Sequence, residues 1–263
     1  MGKEDALVVK AGQVYLVAPG STHDWPAITV EKGGTLQVGR GSGWTFLGCS
    51  GVVTIEGQLR ATSDNWDAAA TPQDNAAGQF RAYAPDGTAL SYSIVQSRGG
   101  QGGGSGAQRA GNGGGGGLGV GASRCTDATD TAGGHGAPCA STLAGAPGGL
   151  YGQRGGDGIA ATGSGGGGRG YHGMGLYLVV GSGLGSGVIT VEGQPGGDGG
   201  VDRGGGGGGG AAGGSGGRIV IRHGGEGPSW ELRLAGGTGG SALGTGASAG
   251  EAGHPGSSDV QRR

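Results

Sequence analysis

Val188-Ile189-Thr190-Val191-Glu192-Gly193-Gln194-Pro195-Gly196-Gly197 opens the stretch that decides the fold. A glycine run from Gly204 to Gly210 follows it, then the short apolar piece Arg218-Ile219-Val220-Ile221-Arg222. Trp230-Glu231-Leu232-Arg233-Leu234 comes next, closed by Gly236-Gly237-Thr238-Gly239-Gly240. Apolar pieces of strand length thus alternate with glycine tracts. Read as a design rule, the alternation describes an extended scaffold poor in side chains.

Glycine makes up 77 of 263 residues, against roughly 7% in ordinary proteins. It is unevenly spread: 13 glycines fall in residues 1–98 and 64 in residues 99–263. The expected organisation is therefore a β-rich module over 1–98, a glycine-rich body over 99–256 and a frayed polar tail over 257–263. Only 33% of residues are hydrophobic, so a thick core is excluded. Glycine also loses more backbone freedom on folding than any other residue. The body is then either a disordered tract or one in which backbone-to-backbone hydrogen bonds replace the missing core.

Short strands are expected at Leu7–Lys10, Gln13–Val17, Ile28–Glu31, Thr35–Val38, Trp44–Leu47, Val52–Glu56 and Gln58–Ala61, punctuated by turn glycines. Val52-Val53-Thr54-Ile55-Glu56-Gly57-Gln58 resembles Val188 to Gln194, and Ile28-Thr29-Val30-Glu31 is a shorter copy about 25 residues earlier. That offset suits one coil of a parallel β-solenoid; an immunoglobulin-like sandwich gives similar short strands. Pro85-Asp86-Gly87 between Phe80–Tyr83 and Ala89–Val95 predicts a hairpin. Leu176–Val180 predicts a strand among the tracts. The fold class expected is all-β: solenoid or sandwich, then a glycine-rich body.

Glycine recurs every third residue at Gly152/Gly155/Gly158, Gly167/Gly170/Gly173, Gly193/Gly196/Gly199 and Gly250/Gly253/Gly256. Three residues per turn is the period of a polyproline-II-type helix. Such triplets also arise by chance at this glycine density, so the period is compatible with polyglycine-II-like segments without establishing them.

The formal charge of −2 weakens a nucleic-acid reading, and no nucleic-acid partner is expected. Arg-Gly-Gly boxes at Arg98, Arg154 and Arg203 are scattered and offset by Asp157, Asp198 and Asp202. No lysine follows Lys32, so a phosphate loop of the Walker type is excluded. The N-terminus lacks a signal-peptide pattern and no run is long enough to span a membrane, so no membrane insertion is expected. No cysteine and histidine spacing suits zinc; neither a metal nor another cofactor is expected. Cys125 and Cys139 flank a glycine-poor loop that a disulfide could close. The five histidines, His23, His135, His172, His223 and His254, read as surface residues. The carboxylates Asp24, Glu56, Asp64, Asp67, Asp74 and Asp86 could in principle supply an acid/base pair, but none shows a diagnostic spacing, and no catalytic residue is assigned. Trp66, Tyr83, Tyr92, Tyr151, Tyr171 and Trp230 are the candidate receptor-contact aromatics, able to stack on sugar faces.

The cassette Ile189-Thr190-Val191-Glu192-Gly193, glycine run, Gly216-Gly217-Arg218-Ile219-Val220-Ile221 resembles repeats in glycine-rich bacterial exoproteins and bacteriophage tail proteins. The tracts resemble the polyglycine adhesins of phage tail-fibre tips, over roughly residues 99–256. This chain departs from them in carrying arginine and aspartate inside its tracts and strands between them. The resemblance implies a virion structural protein, a tail-fibre or receptor-binding component without enzymatic activity. It implies a homo-oligomer, a trimer being the expected form, assembled in the host cytoplasm with other virion proteins. Its target would be a host surface polysaccharide or outer-membrane protein. The alternatives are an extracellular, secreted or surface matrix or ice-binding protein, and a polysaccharide depolymerase.

Overall fold

The computed structural model describes residues 5–18, 20–38, 43–61, 78–94, 97, 99, 167, 170–201, 208–244 and 246–263. The protein is all-β, and its two large sheets are parallel throughout. The chain builds them in passes that cross sheet A and then sheet B. The first pass gives β1 (Leu7–Val9) and β2 (Val14–Val17). The second gives β4 (Ile28–Val30) and β5 (Thr35–Val38), and the third β6 (Trp44–Ile55) and β7 (Gln58–Arg60). Much later come β10 (Gly175–Leu184) with β11 (Val188–Thr190), then β12 (Arg218–His223) with β13 (Glu231–Arg233). β14 (Ser257–Arg262) ends sheet A. Sheet A runs β1-β4-β6-β10-β12-β14, with β3 (Thr22–Trp25) also on β6; sheet B runs β13-β11-β7-β5-β2.

Register explains the packing. Leu7 pairs with Ile28, and Ile28 with Val53, so like residues stack in columns. In sheet B the inward column is Leu36, Leu59, Ile189 and Leu232, with the exposed Tyr15 in register at its end. In sheet A, Leu47, Leu178 and Ile221 form another. Side chains alternate across a strand, so one face of each sheet meets the other in a single cluster holding Leu36, Leu47, Leu59, Leu178, Ile189 and Ile221. Corners between the sheets use glycine where the backbone turns left-handed, as at Gly12 (φ 75) and Gly33 (φ 83).

The expected hairpin forms: β8 (Gly78–Tyr83) pairs antiparallel with β9 (Ala89–Ile94). It lies on the outer face of sheet A and makes a second cluster of Trp44, Leu90, Tyr92, Ile94, Tyr177 and Val220. Tyr92 meets Trp44 edge-on at 5.4 Å and stacks on Phe80 at 5.1 Å. Its hydroxyl donates to the Gly43 carbonyl at 3.2 Å. Burial pushes the Tyr92 phenol up to about 12. Between the unfolded value near 10 and that value, the folded chain keeps a proton that the unfolded chain has lost. Its contribution is therefore complete below pH ~10 and disappears as pH rises through 12, a loss of roughly 2–3 kcal/mol. Alkaline denaturation curves of the protein and Tyr92→Phe should differ in this window, the variant losing less stability as pH rises.

The C-terminal passes differ in how they return from sheet B to sheet A. After β11 the chain runs out along 191–200 and back along 208–217 into β12. After β13 it runs out along 235–243 and back along 248–256 into β14. A third run, 170–173, enters β10. These segments bond to one another every third residue. The N–H groups of Gly193, Gly196 and Gly199 donate to the carbonyls of Ala235, Thr238 and Ser241 at 2.9, 2.8 and 2.9 Å. Those of Gly210, Gly213 and Gly216 donate to Ser248, Glu251 and His254, and those of Gly167, Gly170 and Gly173 to Gly209, Ala212 and Ser215. These three sets join parallel segments. Antiparallel neighbours bond with the same period: Ala211, Gly214 and Gly217 donate to Gly197, Gln194 and Val191.

Residues 208–217 bond to all four segments that neighbour them among the described residues, are wholly buried and contain only glycine, alanine and serine. Two positions in it leave no room for a side chain. A Cβ on Gly213 would strike the Gly237 carbonyl, and one on Gly214 the Tyr171 carbonyl. The peripheral segment 248–256 carries exposed Ser248, Glu251 and His254 between Gly250, Gly253 and Gly256. Glycine content thus follows the number of neighbouring segments.

Several expectations change. Trp44–Leu47 and Val52–Glu56 are one strand, because Gly48 and Gly51 are places where neighbouring backbone comes close and not turns. A Cβ on Gly51 would strike the Pro26 carbonyl. Val52–Ile55 and Val188–Thr190 lie in different sheets, so those two copies are not equivalent, whereas Ile28–Val30 does pair with Val53–Ile55. Residues 257–262 are the strand β14, paired with β12 over its whole length, and not a frayed tail. The change in glycine content near Arg98 is not a division between sheets: β6 pairs with β10 and β7 with β11.

Candidate functional site

On the outer face of sheet A, beside the hairpin, two rows of residues run across the strands. One is Thr22, Phe46, Tyr177 and the other Asp24, Gly48, Val179, in register through β3, β6 and β10. Gly48 has no side chain, so its row has a gap in the middle. The gap deepens into a groove of about 390 Å³, closed on one side by Pro85 and Asp86 at the hairpin turn and by Arg263. Phe46 and Val179 are its half-buried floor, with the Tyr177 ring beneath, 6.0 Å from Phe46.

Asp86 is the best-held polar group. Its Oδ1 accepts from the Thr88 backbone N–H at 3.0 Å, and its Oδ2 from the Tyr177 hydroxyl at 2.8 Å. Arg263, carried by the chain just past β14, brings its guanidinium within 3.5 Å of the same Oδ2. The Thr88 hydrogen bonds, then that of Tyr177, hold the Asp86 carboxyl down at about 2. Burial, and then the Asp86 bond, push the Tyr177 phenol up. Asp86 is thus a fixed anion at neutral pH. Asp24 is the opposite case: exposed, with no hydrogen bond to its carboxylate among the described residues. Its Oδ1 overhangs the gap, 3.3 Å from where a Cβ on Gly48 would stand.

No protein-family model, curated protein or solved structure matches this chain.

Of the six aromatics chosen from sequence, Tyr83 is the exposed one among those described, at 79%. Tyr92, Tyr171 and Trp230 are buried and have no face to offer a receptor. Tyr92 seats the hairpin, the Tyr171 carbonyl accepts from the Gln194 N–H within the glycine segments, and the Trp230 indole donates to the Leu184 carbonyl at 2.7 Å. Trp66, Tyr151, Cys125 and Cys139 lie outside the described residues, as do Asp64, Asp67, Asp74, His135 and the three Arg-Gly-Gly arginines. His172 and His223 are buried, not surface residues; His172 Nδ1 accepts from the Ser215 N–H at 2.7 Å. His23 stacks flat on Trp25 at 4.7 Å, and His254 is exposed. Glu56 sits at a corner, where the Ser186 hydroxyl donates to it at 3.2 Å. Of the carboxylates named from sequence, Asp24 and Asp86 are brought into one groove. Phe46 and Val179 were missed, because each is an ordinary strand residue until the register is known.

Proposed function

We propose that this chain is a structural component of a bacteriophage virion, a tail-fibre or receptor-binding protein that acts by contact and performs no chemistry. In this reading the passes are rungs of a parallel β-solenoid, and the segments after the third rung are packed polyglycine-II helices. The observation that carries it is the alternation of in-register parallel strands with glycine segments hydrogen-bonded every third residue. Such a body is stiff along its length and needs little side-chain volume, which suits a particle part built in many copies. Many weak contacts multiplied by copy number would then supply host affinity. Assembly as a homotrimer with other virion proteins, and a host polysaccharide or outer-membrane protein as target, belong to the same reading.

Immunogold labelling of purified phage particles with an antibody to this chain, beside mass photometry of the isolated protein, tests it. Label on the tail and a trimeric mass are expected. A monomer that labels no particle and binds no host cell overturns the reading.

Asp24 and Asp86 in one groove favour a second reading, a polysaccharide depolymerase. Glycoside cleavage needs one carboxyl kept protonated as the acid. Asp86 is held in the other direction, which leaves it only the part of an anion. New reducing ends on incubation with host capsule would favour this reading over the first.

A further inference from the structure

The groove on the outer face of sheet A has a composition that selects its occupant. Its floor is apolar, Phe46 and Val179 over Tyr177, and Thr22, His23, Asp24, Asp86 and Arg263 line it beside that floor. The charged groups differ in availability. Asp86 already accepts from Thr88 and Tyr177, while Asp24 leans over the bare Gly48 backbone and accepts no hydrogen bond from the described residues. Arg263, 46% exposed, supplies donors at the hairpin end. We propose that this groove is a saccharide subsite, taking a neutral hexose unit of a glycan chain with its C–H face on Phe46 and Val179. The proposal rests on the receptor-binding reading and names the ligand class of one contact within it.

The chemistry excludes the other occupants in turn. A hydrocarbon or apolar peptide covers the floor but strips water from Asp24 and gives it no donor. An anionic sugar meets two carboxylates, one of them held ionised. A lysine-bearing peptide satisfies Asp24 but brings a second cation into a groove that already holds the Arg263 guanidinium. A pyranose has both needed surfaces at once: hydroxyls that donate to Asp24 and accept from Arg263, and an apolar face for an aromatic edge. The groove, at about 390 Å³, lies at the small end of ligand sites and holds roughly one or two such rings.

The experiment uses the full chain and a fixed panel: maltohexaose, cellohexaose, mannohexaose and chitohexaose, with polygalacturonate and a lysine-rich peptide, titrated calorimetrically. Two variants accompany it. Asp24→Asn keeps the shape and removes the charge; Val179→Phe fills the groove from the solvent side. Both are checked for an unchanged melting curve. Saturable binding of at least one neutral oligosaccharide is expected, weakened about tenfold by Asp24→Asn, as loss of a charged hydrogen bond implies, and abolished by Val179→Phe. Absence of binding by every neutral member, binding indifferent to both variants, or binding of the peptide or polygalacturonate alone overturns the proposal. Tail labelling without sugar binding would remove the subsite and leave the virion reading standing. Sugar binding without tail labelling would do the reverse.

Discussion

Changing Gly213 and Gly214 together to alanine should destabilise the protein by roughly 3–6 kcal/mol, beyond the 1–3 kcal/mol usual for one overpacked site. The two methyls would point to different sides of the 208–217 segment. One strikes the Gly237 carbonyl and the other that of Tyr171. Both targets are backbone held by further hydrogen bonds, so neither can swing aside as a flexible side chain would. To admit the methyls, the segments must separate, and separation lengthens the bonds that Gly213 and Gly214 themselves donate to Glu251 and Gln194. The same segment already carries Ala211, Ala212 and Ser215, so alanine as such is not excluded there. Thr238→Ala, on an exposed position of the neighbouring segment, should change stability by less than about 0.5 kcal/mol. Urea denaturation of the three proteins measures the contrast. A double variant within about 1 kcal/mol of the parent would contradict the close approach.

Leu178→Ala carries the other large effect, an expected loss of about 3–5 kcal/mol. Leu178 is fully buried in the middle of its column, between Leu47 and Ile221, both fully buried as well. Parallel strands in register place like side chains one above another, so the cavity cannot be refilled by a neighbour sliding along the column. Val260 ends the same column and is 43% exposed. Val260→Ala should therefore cost under about 1 kcal/mol. Equal losses at the two positions, by thermal or chemical denaturation, would show that the columns do not carry the stability of the sheets.

Much of the strand pattern was legible because it rests on local signals. Thr35–Val38 alternates and is bounded by glycines, and Pro85-Asp86-Gly87 marks its hairpin without help from the rest of the chain. The offset between Ile28 and Val53 was legible as a repeat because stacking demands like residues in register. Thr22-His23-Asp24-Trp25 escaped notice: it is mostly polar and becomes a strand only because β6 lies beside it. Ser257–Arg262 escaped for the same reason, β12 supplying its partner bonds. Glycine read as punctuation misled at Gly48 and Gly51, where its role is close approach. The triplets at Gly193 and Gly250 gave a period but no partners, since a tract without side chains carries no mark of its neighbour. The groove was illegible because its parts come from residues 22–24, 46–48, 85–86, 177–179 and 263, joined only by register. The aromatics misled by their rarity. With two phenylalanines in the whole chain, tyrosine and tryptophan are needed inside, to seat a hairpin or cover a strand.

The central claim is that peptide groups bonded across neighbouring glycine segments hold this part of the protein together in place of a side-chain core. Residue-resolved hydrogen exchange at Gly210, Ala211, Gly213, Gly214, Gly216 and Gly217 tests it most directly, since each of these amides donates to another segment. The account predicts that they exchange slowly and together, with an opening free energy close to that of global unfolding. Exchange at the rate of a free peptide, while Leu178 and Ile221 remain protected, would contradict it.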